Sequence, residues 1–318
     1  MPDKVLATRE IPEAGLRILE AFEVTVLHER PPERDELLEA VGGASGVLST
    51  ATEKVDGEVM DAAGEALKVV ANMAVGYDNV DVAAATERGV VVTNTPGVLD
   101  ETTADVAFML LLAAARRLGE GERLLRAGRW EWWGPKQLMG PDVWGKKLGI
   151  VGFGRIGQSV ARRANGFGMD VLYHNRSRKE EAEREFGARY LDLDELLESA
   201  DFISIHTPLT EETNHLIGEA ELQRMKPEAV LVNTSRGPVV DEDALAEALA
   251  NGQIFAAGLD VYEDEPDVHP GLLELENVVL APHIGSASVE TRDRMAVLAA
   301  ENLAAVLRGE DPKTPVDA

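Results

Sequence analysis

Short apolar runs alternate along the chain with stretches in which apolar residues recur at helical spacing. In the first hundred residues, five runs predict buried strands, at 5–8, 24–27, 46–48, 68–71 and 90–93. Helices are predicted between them, including 13–21 and 32–41, the second with a proline in its first turn. Strands and helices in this order predict a parallel sheet that is covered on both faces.

A longer helix is predicted over residues 101–117, and an irregular segment follows it. In the helix, one apolar face is formed by Val106, Met109, Leu110, Ala113 and Ala114. The segment 118–145 interrupts the alternation and contains all four tryptophans, Trp130, Trp132, Trp133 and Trp144. Two interpretations stay open: the aromatic side chains pack on their own domain, or they are buried against another subunit.

The alternation resumes at residue 147 and continues almost to the end of the chain. Six more strands are predicted, at 148–151, 170–173, 202–206, 229–233, 254–260 and 278–280. A final helix over 286–308 starts after these strands are complete, and we expect it to return to the first domain. The pattern predicts an α/β fold with two parallel-sheet domains, Rossmann-like or flavodoxin-like, and a cleft between them.

Composition and charge exclude several classes of function. The chain has 318 residues, enough for two domains, with 31 Lys and Arg against 57 Asp and Glu and a formal net charge of −26. Because so acidic a surface repels phosphate backbones, we expect no nucleic-acid partner. The absence of cysteine excludes disulfides, Cys-ligated metals and thiolate nucleophiles. We expect a cytoplasmic protein with no membrane partner, since the start resembles no signal peptide and the longest apolar run, 107–115, is too short to cross a bilayer.

A glycine-rich turn after the strand at 148–151 carries the first chemical signal. Gly152, Gly154 and Gly157 have G-x-G-x-x-G spacing between a predicted strand and a predicted helix. In dinucleotide-binding turns, such glycines permit a tight turn, a close backbone approach to pyrophosphate, and close packing of helix on strand. We therefore expect a dinucleotide to bind at Gly152, Phe153, Gly154, Arg155, Ile156 and Gly157.

The end of the next predicted strand favours NADP over NAD. An NAD site has an acidic residue there for the ribose 2′-hydroxyl, whereas this chain has Asn175, followed by Arg176, Ser177 and Arg178. Two guanidinium groups and a hydroxyl suit a 2′-phosphate better than a bare ribose. The alternatives are a site for NAD and an ordinary solvated basic turn.

Three later motifs supply a set of groups suited to oxo-acid chemistry. They contain Arg236 (LVNTSRGP), Asp260 and Glu265 (GLDVYEDEP), and His283 (APHIGSAS). An arginine binds a carboxylate, a histidine transfers protons near neutral pH, and a carboxylate beside the ring favours its protonated form. Taken singly, these side chains suit a surface ion pair, a solvated acid and a helix cap. Their joint occurrence favours reduction of an oxo acid by a nicotinamide cofactor.

Six segments, in this order along the chain, carry a resemblance to a known family. They are NMAVGYDNVD (72–81), VGFGRIG (151–157), FISIHTPLT (202–210), VNTSRG (232–237), GLDVYEDEP (258–266) and APHIGSAS (281–288). On these segments the chain resembles the D-isomer-specific 2-hydroxyacid dehydrogenases, most of all their glyoxylate/hydroxypyruvate reductase branch. We expect a flavodoxin-like substrate-binding domain at 1–99 and 288–318 and a dinucleotide-binding Rossmann domain at 100–287. The resemblance also implies a homodimer formed through residues 101–145.

The resemblance implies roles for individual residues. Arg236 would bind and polarise the substrate, His283 would act as acid and base, and Glu265 would pair with His283. Asp260 would contact the nicotinamide side of the cofactor. The remaining implied cofactor contacts are Thr234, Ser235 and Gly285 in the pocket, and Pro208 and Thr213 at the adenosine end.

A loop in the first domain is expected to receive the substrate carboxylate. Val75 and Gly76 follow the strand at 68–71, and Gly76 permits a turn whose N–H groups point inward. By itself this is equally typical of an ordinary glycine turn, but it matches the substrate loop of the family. Ser49 and Thr50, after the strand at 46–48, are candidates for the same wall.

The expected reaction is NAD(P)H-dependent reduction of a small 2-oxo acid to its D-2-hydroxy acid. Glyoxylate and hydroxypyruvate both stay open, because Gln137 and Leu138 stand where some hydroxypyruvate-reducing relatives have a tryptophan, although Trp133 is close. A phosphoglycerate-type enzyme would favour an acid at Asn175, and formate dehydrogenases pair their histidine with glutamine. A non-catalytic dinucleotide sensor is the alternative from another class, against which the intact catalytic set argues. No metal is expected, since the other histidines have no metal-ligand spacing.

Overall fold

A computed structural model describes residues 2–316 of the chain. The chain divides into two compact units, Met1–Leu99 with Ser286–Ala318, and Asp100–Gly285. Each unit contains one entirely parallel sheet, with five strands in the first and seven in the second. The prediction of two parallel-sheet α/β domains is confirmed.

The first unit has a flavodoxin-like strand order. Its strands are β1 (Lys4–Ala7), β2 (Glu23–Val26), β3 (Gly46–Ser49), β4 (Val69–Asn72) and β5 (Val91–Thr93). Its first helices are α1 (Glu13–Leu16), α2 (Arg34–Ala40), α3 (Gly57–Ala63) and α4 (Val82–Glu87). The sheet order is β2-β1-β3-β4-β5, so the carboxyl ends of β3 and β4 are neighbours. All five predicted strands are present within two residues of their expected bounds.

Two predictions in this unit are wrong in detail. The β2 strand lies at the sheet edge and is largely exposed, because only β1 pairs with it. The helix expected at 13–21 is a four-residue α1 followed by a 3-10 turn, Arg17–Leu19. A Cβ at Gly15 would lie 2.8 Å from the carbonyl oxygen of Ala296, so this glycine permits a backbone contact that apolar periodicity does not show.

The second unit has a Rossmann-like order. Its strands are β6 (Lys147–Val151), β7 (Asp170–His174), β8 (Arg189–Tyr190), β9 (Phe202–Ile205), β10 (Val230–Asn233), β11 (Ala256–Leu259) and β12 (Val278–Leu280). Its helices are α5 (Asp100–Ala115), α6 (Leu118–Arg126), α7 (Arg155–Gly166), α8 (Glu180–Phe186), α9 (Leu193–Ser199), α10 (Glu219–Arg224), α11 (Glu242–Ala250) and α12 (Pro270–Leu273). In the order β12-β11-β10-β9-β6-β7-β8, the connections run in opposite directions on either side of the β6–β9 pair. Open α/β sheets bind ligands at the carboxyl ends of the strands at such a point.

Alternate side chains of the central strands enter two cores, one on each face of this sheet. In β10, Val230 and Val232 pack into one core and Leu231 into the other. The α5 helix is buried almost all round, but Met109, predicted on its apolar face, is 47% exposed.

The short β8 strand was not predicted, and the α6 helix occupies the start of the segment that was expected to be irregular.

The final helix, α13 (Val289–Leu307), belongs to the first unit. It packs on β3, β4 and β5 of that unit. Met295, Ala299, Leu303 and Leu307 of this helix are buried. Within residues 2–316, no helix combines the length and the apolar character that crossing a bilayer requires.

Candidate active site

His283 and Glu265 form a hydrogen-bonded pair at the carboxyl end of the second sheet. His283 follows β12 and Glu265 follows β11, and the His283 Nδ1 atom lies 2.8 Å from Glu265 Oε2. The other carboxylate oxygen, Oε1, accepts the Tyr262 N–H at 3.1 Å. Burial raises the pKa of Glu265. The hydrogen bond and charge of His283, the Tyr262 N–H and the charge of Arg236 together lower it by more, so the pKa of Glu265 lies below its usual value. An ionised Glu265 accepts a hydrogen bond from the ring and so fixes the orientation of the imidazole.

Asp260 holds the backbone that carries His283. Its buried carboxylate accepts the Ile284 N–H and the Gly285 N–H, each at 2.7 Å. His283 has a left-handed backbone conformation, with φ 52°, which is uncommon for a residue other than glycine. Such a conformation persists where surrounding contacts hold it, and the two N–H bonds to Asp260 do so here. Burial raises the pKa of Asp260, while those N–H groups and His283 act in the opposite direction.

Arg236 lies in the loop after β10, which packs against the Glu265 loop. A Cβ at Gly237 would lie 1.9 Å from the carbonyl oxygen of Tyr262, so only glycine permits this approach of the two backbones. The buried Asn233 side chain donates to the Arg236 carbonyl at 2.9 Å and accepts the Ser235 N–H at 3.0 Å. The structure thus brings the cation, the acid and the imidazole to neighbouring loops of one unit.

The glycine-rich turn has the geometry of a phosphate-binding turn. Gly152 has φ 94°, and a Cβ there would lie 2.6 Å from the His206 carbonyl carbon. A Cβ at Gly157 would lie 2.4 Å from the Gly152 carbonyl oxygen, whereas no atom lies within 4 Å of one at Gly154. The first and third glycines therefore permit internal packing, and the second leaves space at the start of α7 for an incoming group.

Buried polar atoms at the carboxyl end of the same sheet support a bound dinucleotide. The Thr207 and Thr234 hydroxyls and the His206 Nδ1 atom are buried and have no hydrogen-bond partner within residues 2–316. A buried hydroxyl without a partner is costly, and a polar ligand would relieve that cost. Burial lowers the pKa of His206 to about 3, so its ring is neutral there, with Nε2 2.7 Å from the Ser204 hydroxyl. The residues present therefore fit a polar cofactor.

Side chains that the sequence placed around the cofactor divide into two groups. Phe153 is buried and stacks on Tyr173 with ring centroids 4.3 Å apart, so its side chain belongs to the core. The Thr213 hydroxyl donates to the Pro208 carbonyl at 2.7 Å and shapes that loop. Gly285 is buried, with its N–H on Asp260. Side chains that stay exposed or half-buried are Arg155, Ile156, Asn175, Arg176, Ser177, Pro208 and Ser235.

The basic turn after β7 uses one of its two arginines internally. Arg178 Nε and Nη2 bind the Glu183 carboxylate at 2.7 and 2.8 Å, and the Tyr173 hydroxyl donates to the same group at 2.6 Å. These contacts lower the pKa of Glu183 to about 2. Asn175 accepts the Phe153 N–H at 3.2 Å and so ties the turn to the glycine-rich loop. Arg176 and Ser177 are the groups of this turn that the internal ion pair does not include.

The first unit places Val75 and Gly76 in the loop after β4. Within residues 2–316, their N–H groups donate to no protein acceptor. Ser49 is fully buried and its hydroxyl donates to Asn72 Oδ1 at 3.1 Å, a geometry that disfavours direct contact with a ligand. The Thr50 hydroxyl donates to a Glu53 oxygen at 2.9 Å.

Comparisons with known proteins identify the family. The family model for the D-isomer specific 2-hydroxyacid dehydrogenase, NAD binding domain, matches residues 108–285. The chain is 55% identical over 322 residues to the glyoxylate reductase of Korarchaeum cryptofilum, covering 100% of this chain and 96% of that protein. It belongs to the D-isomer-specific 2-hydroxyacid dehydrogenase family. This dehydrogenase is therefore an NAD(P)-dependent oxidoreductase.

Solved structures resemble this dehydrogenase over its whole length. A glyoxylate reductase from Paecilomyes thermophila is 38% identical, with a TM-score of 0.89 over 99% of this chain and 98% of that one. An NADPH-dependent glyoxylate/hydroxypyruvate reductase from Sinorhizobium meliloti, in complex with NADP and malonate, is 38% identical, with a TM-score of 0.85 over 99% and 97% of the two chains. The likeness covers both parallel sheets.

Some residues at the two sheets' carboxyl ends were not predicted. Thr207, next to the predicted Pro208, has a buried hydroxyl without a partner and is a candidate cofactor contact in this dehydrogenase. Asn72 and Asn94 donate to backbone carbonyls of the Val75–Gly76 loop. The sequence contains a sign of this role, because an asparagine stands at the end of an apolar run in both places. A polar side chain that a fold encloses there needs hydrogen-bond partners.

Proposed function

We propose that this dehydrogenase reduces glyoxylate, hydroxypyruvate or both to the D-2-hydroxy acid with NAD(P)H. The observation that carries the proposal is the 2.8 Å pair of His283 and Glu265 on the sheet that also carries the glycine-rich turn. The names of the relatives support a substrate of this size, since those of Korarchaeum cryptofilum and Thermococcus litoralis are glyoxylate reductases.

Each side chain of the set has a distinct task in this proposal. His283, paired with the ionised Glu265, donates a proton to the carbonyl oxygen of the oxo acid. Arg236 binds the carboxylate and opposes the negative charge that develops on that oxygen. A bound nicotinamide cofactor would supply the hydride. Asp260 keeps His283 in place through the backbone N–H groups of Ile284 and Gly285.

A substrate panel tests the proposed reaction. Purified protein is mixed with NADPH or NADH and with glyoxylate, hydroxypyruvate or 3-phosphohydroxypyruvate, and cofactor oxidation is followed. We expect turnover with one or both of the first two acids, and D-glycerate as the product where hydroxypyruvate is reduced. Turnover confined to the phosphorylated acid would assign the phosphoglycerate-type reaction instead. Dinucleotide binding without turnover of any acid would assign a sensor.

The turn after β7 supports a preference for NADPH. Arg176 and Ser177 remain outside the Arg178–Glu183 ion pair, and no carboxylate occupies the place of Asn175 to bind a ribose 2′-hydroxyl. A guanidinium beside a hydroxyl binds phosphate through charge-assisted hydrogen bonds. We assign the 2′-phosphate to Arg176 and Ser177, with NAD as the less favoured cofactor.

Replacing Arg176 with aspartate is expected to lower kcat/KM for NADPH about 10- to 100-fold, since a hydrogen bond to a charged group contributes roughly 1.5–3 kcal/mol. The value for NADH should change by less than about threefold, because the bare ribose gains little from the arginine. Steady-state kinetics with each cofactor measure both values. Arg184→Asp, which makes the same charge change at an exposed position of α8, is the control. Equal losses with both cofactors would contradict the assignment.

Exposed apolar side chains around α6 support a homodimer. Side chains more than half exposed in this region are Leu118, Leu125, Trp130, Trp132, Trp133, Met139 and Trp144. Patches of this kind mark interaction sites, and tryptophan is enriched in subunit interfaces. We propose that a second copy of this chain covers this region. We also propose that the enzyme is cytoplasmic. Sedimentation equilibrium at micromolar concentration should then give twice the monomer mass, and a monomer at that concentration would contradict the dimer.

A further inference from the structure

Three successive carbonyl groups of the Val75–Gly76 loop are anchored inside the first unit. The Ala74 oxygen accepts the Thr95 N–H at 2.8 Å. The Val75 oxygen accepts Asn94 Nδ2 at 2.8 Å, and the Gly76 oxygen accepts Asn72 Nδ2 at 2.9 Å. Because C=O and N–H point in opposite directions in a trans peptide, these anchors direct three successive N–H groups away from them.

Those three N–H groups belong to Val75, Gly76 and Tyr77. Within residues 2–316, none of them donates to a protein acceptor. Consecutive backbone N–H groups that find no acceptor in their own chain form an anion-binding arrangement, since each carries a partial positive charge. The direction of the N–H groups depends on the anchors, and two of the three anchors are side-chain amides.

The Asn94 anchor is itself held by the C-terminal segment. The Thr314 hydroxyl donates to the Asn94 carbonyl at 2.6 Å, and the Asn94 N–H donates to the Thr314 carbonyl at 3.3 Å. The fully buried Asn302 of α13 accepts the N–H groups of Lys313 and Thr314 and donates to the Thr314 hydroxyl at 2.7 Å. A chain of hydrogen bonds therefore connects α13, the C-terminal segment and the Val75 peptide.

The Asn72 anchor is held from the other side of the loop. Asn72 is fully buried, and its Nδ2 also lies 3.1 Å from Asn79 Oδ1. Asn79 Nδ2 donates to the carbonyls of Thr50 and Glu53, each at 2.9 Å. The amide pair thus ties the loop after β3 to the loop after β4. Asn72 is buried, Asn79 is half-buried, and both amides are hydrogen-bonded, which is the condition under which a polar network rigidifies a backbone.

We propose that Asn94 and Asn72 are positioning residues: through the Val75 and Gly76 carbonyls they hold the Gly76 and Tyr77 N–H groups ready to bind the carboxylate of the 2-oxo acid. The inference rests on the proposed function and adds to it the groups that set this half of substrate recognition. The C-terminal segment then contributes indirectly to substrate binding, because the Thr314 hydroxyl binds the Asn94 carbonyl and holds that backbone in place. Asn94 belongs to the first unit, whereas the acid–base pair and the glycine-rich turn belong to the second, so its effect should be confined to carboxylate affinity.

Two substitutions at Asn94 test the proposal. Asn94→Asp keeps the shape but replaces the donor with an oxygen that repels the Val75 carbonyl, and Asn94→Ala removes the donor without adding charge. We expect both variants to raise KM for glyoxylate about tenfold or more, the effect of losing a hydrogen bond to a charged group. The value of kcat should change less than threefold, and the Kd of NADPH should stay the same. The Ki of oxalate, an unreactive carboxylate, should rise in parallel with KM.

Matched variants separate positioning from a general loss of structure. Asn277→Asp removes an amide that donates to the Leu249 and Phe255 carbonyls in the second unit, and it should leave the KM for glyoxylate unchanged. Thr314→Val removes the hydroxyl that holds Asn94 and should raise KM about two- to fivefold, as a weaker form of the same effect. If the Asn94 variants do not fold, Thr314→Val decides the question.

The outcomes distinguish this inference from the proposed function. Wild-type protein that does not turn over glyoxylate or hydroxypyruvate would reject the proposed function. Active wild-type protein whose folded Asn94 variants keep the wild-type KM and oxalate Ki would overturn the positioning role alone. A loss confined to kcat, or an equal loss of NADPH affinity, would overturn it as well.

Discussion

Replacing His283 with alanine is expected to lower kcat for glyoxylate reduction by about 10²- to 10⁴-fold, the usual contribution of a positioned acid or base. The imidazole is the proton donor in the proposed reaction, and its contact with Glu265 at 2.8 Å holds it in the orientation for that task. The Kd of NADPH should change little, since the glycine-rich turn lies elsewhere along the sheet. Steady-state kinetics and a fluorescence titration with NADPH measure the two quantities.

Two further variants make the result for His283 decisive. His28→Ala removes an exposed histidine of the first unit and should leave kcat unchanged. Because the pKa of Glu265 is held below its usual value, this group is a carboxylate at neutral pH. Glu265→Gln keeps a hydrogen-bonding group beside His283 but removes the negative charge, so kcat for glyoxylate should fall while the Kd of NADPH stays the same. An unchanged kcat for Glu265→Gln, or a His283→Ala enzyme with normal turnover, would reject the assignment.

Replacing Arg236 with glutamine is expected to lower kcat/KM for glyoxylate about 10³-fold, near the upper range for the loss of one group that stabilises developing charge. The Arg236 loop packs against the Glu265 loop at Gly237, and the charge of Arg236 helps to lower the pKa of Glu265. Arg236→Lys should recover only part of the loss, because an ammonium cannot bind a carboxylate through two parallel hydrogen bonds.

The control for Arg236 is another arginine of the same unit. Arg224 pairs with Asp194 and Glu198 on a surface helix, and Arg224→Gln should keep the wild-type kcat/KM. A loss for Arg236→Gln that appears mainly in the Kd of NADPH would indicate a cofactor-binding role instead. Full activity of Arg236→Lys would show that a point charge is sufficient and that the bidentate geometry is dispensable.

Local patterns predicted most of the fold, and their failures have clear reasons. Buried parallel strands give continuous apolar runs, and those of β3, β4 and β10 are visible as such. The β2 strand has a similar run but lies at the edge, because strand order depends on which strands pair, and no local pattern records pairing. Met109 has helical spacing with buried neighbours yet is exposed, since α5 is apolar on nearly every side.

The sequence predicted which residues carry the chemistry of the candidate site better than it predicted which partners those residues contact. Arg178 was grouped with Arg176 as a phosphate ligand on composition alone. The structure pairs Arg178 with Glu183, five residues later, because α8 begins at residue 180 and turns that carboxylate towards the arginine. Ser49 was proposed as a wall of the substrate site, but it lies at the buried end of β3 and donates to Asn72.

The amino-acid sequence by itself determined the alternation of strands and helices, the glycine-rich turn and the identity of the chemical groups, because burial period and backbone freedom are local properties. Only the tertiary structure decided which groups meet. Glu265 and His283 follow adjacent parallel strands, and their contact depends on the register of β11 with β12. Asn94 and Thr314 are 220 positions apart and meet because the C-terminal segment pairs beside β5. Contacts of this kind come from sheet order and helix docking, which the whole chain sets together.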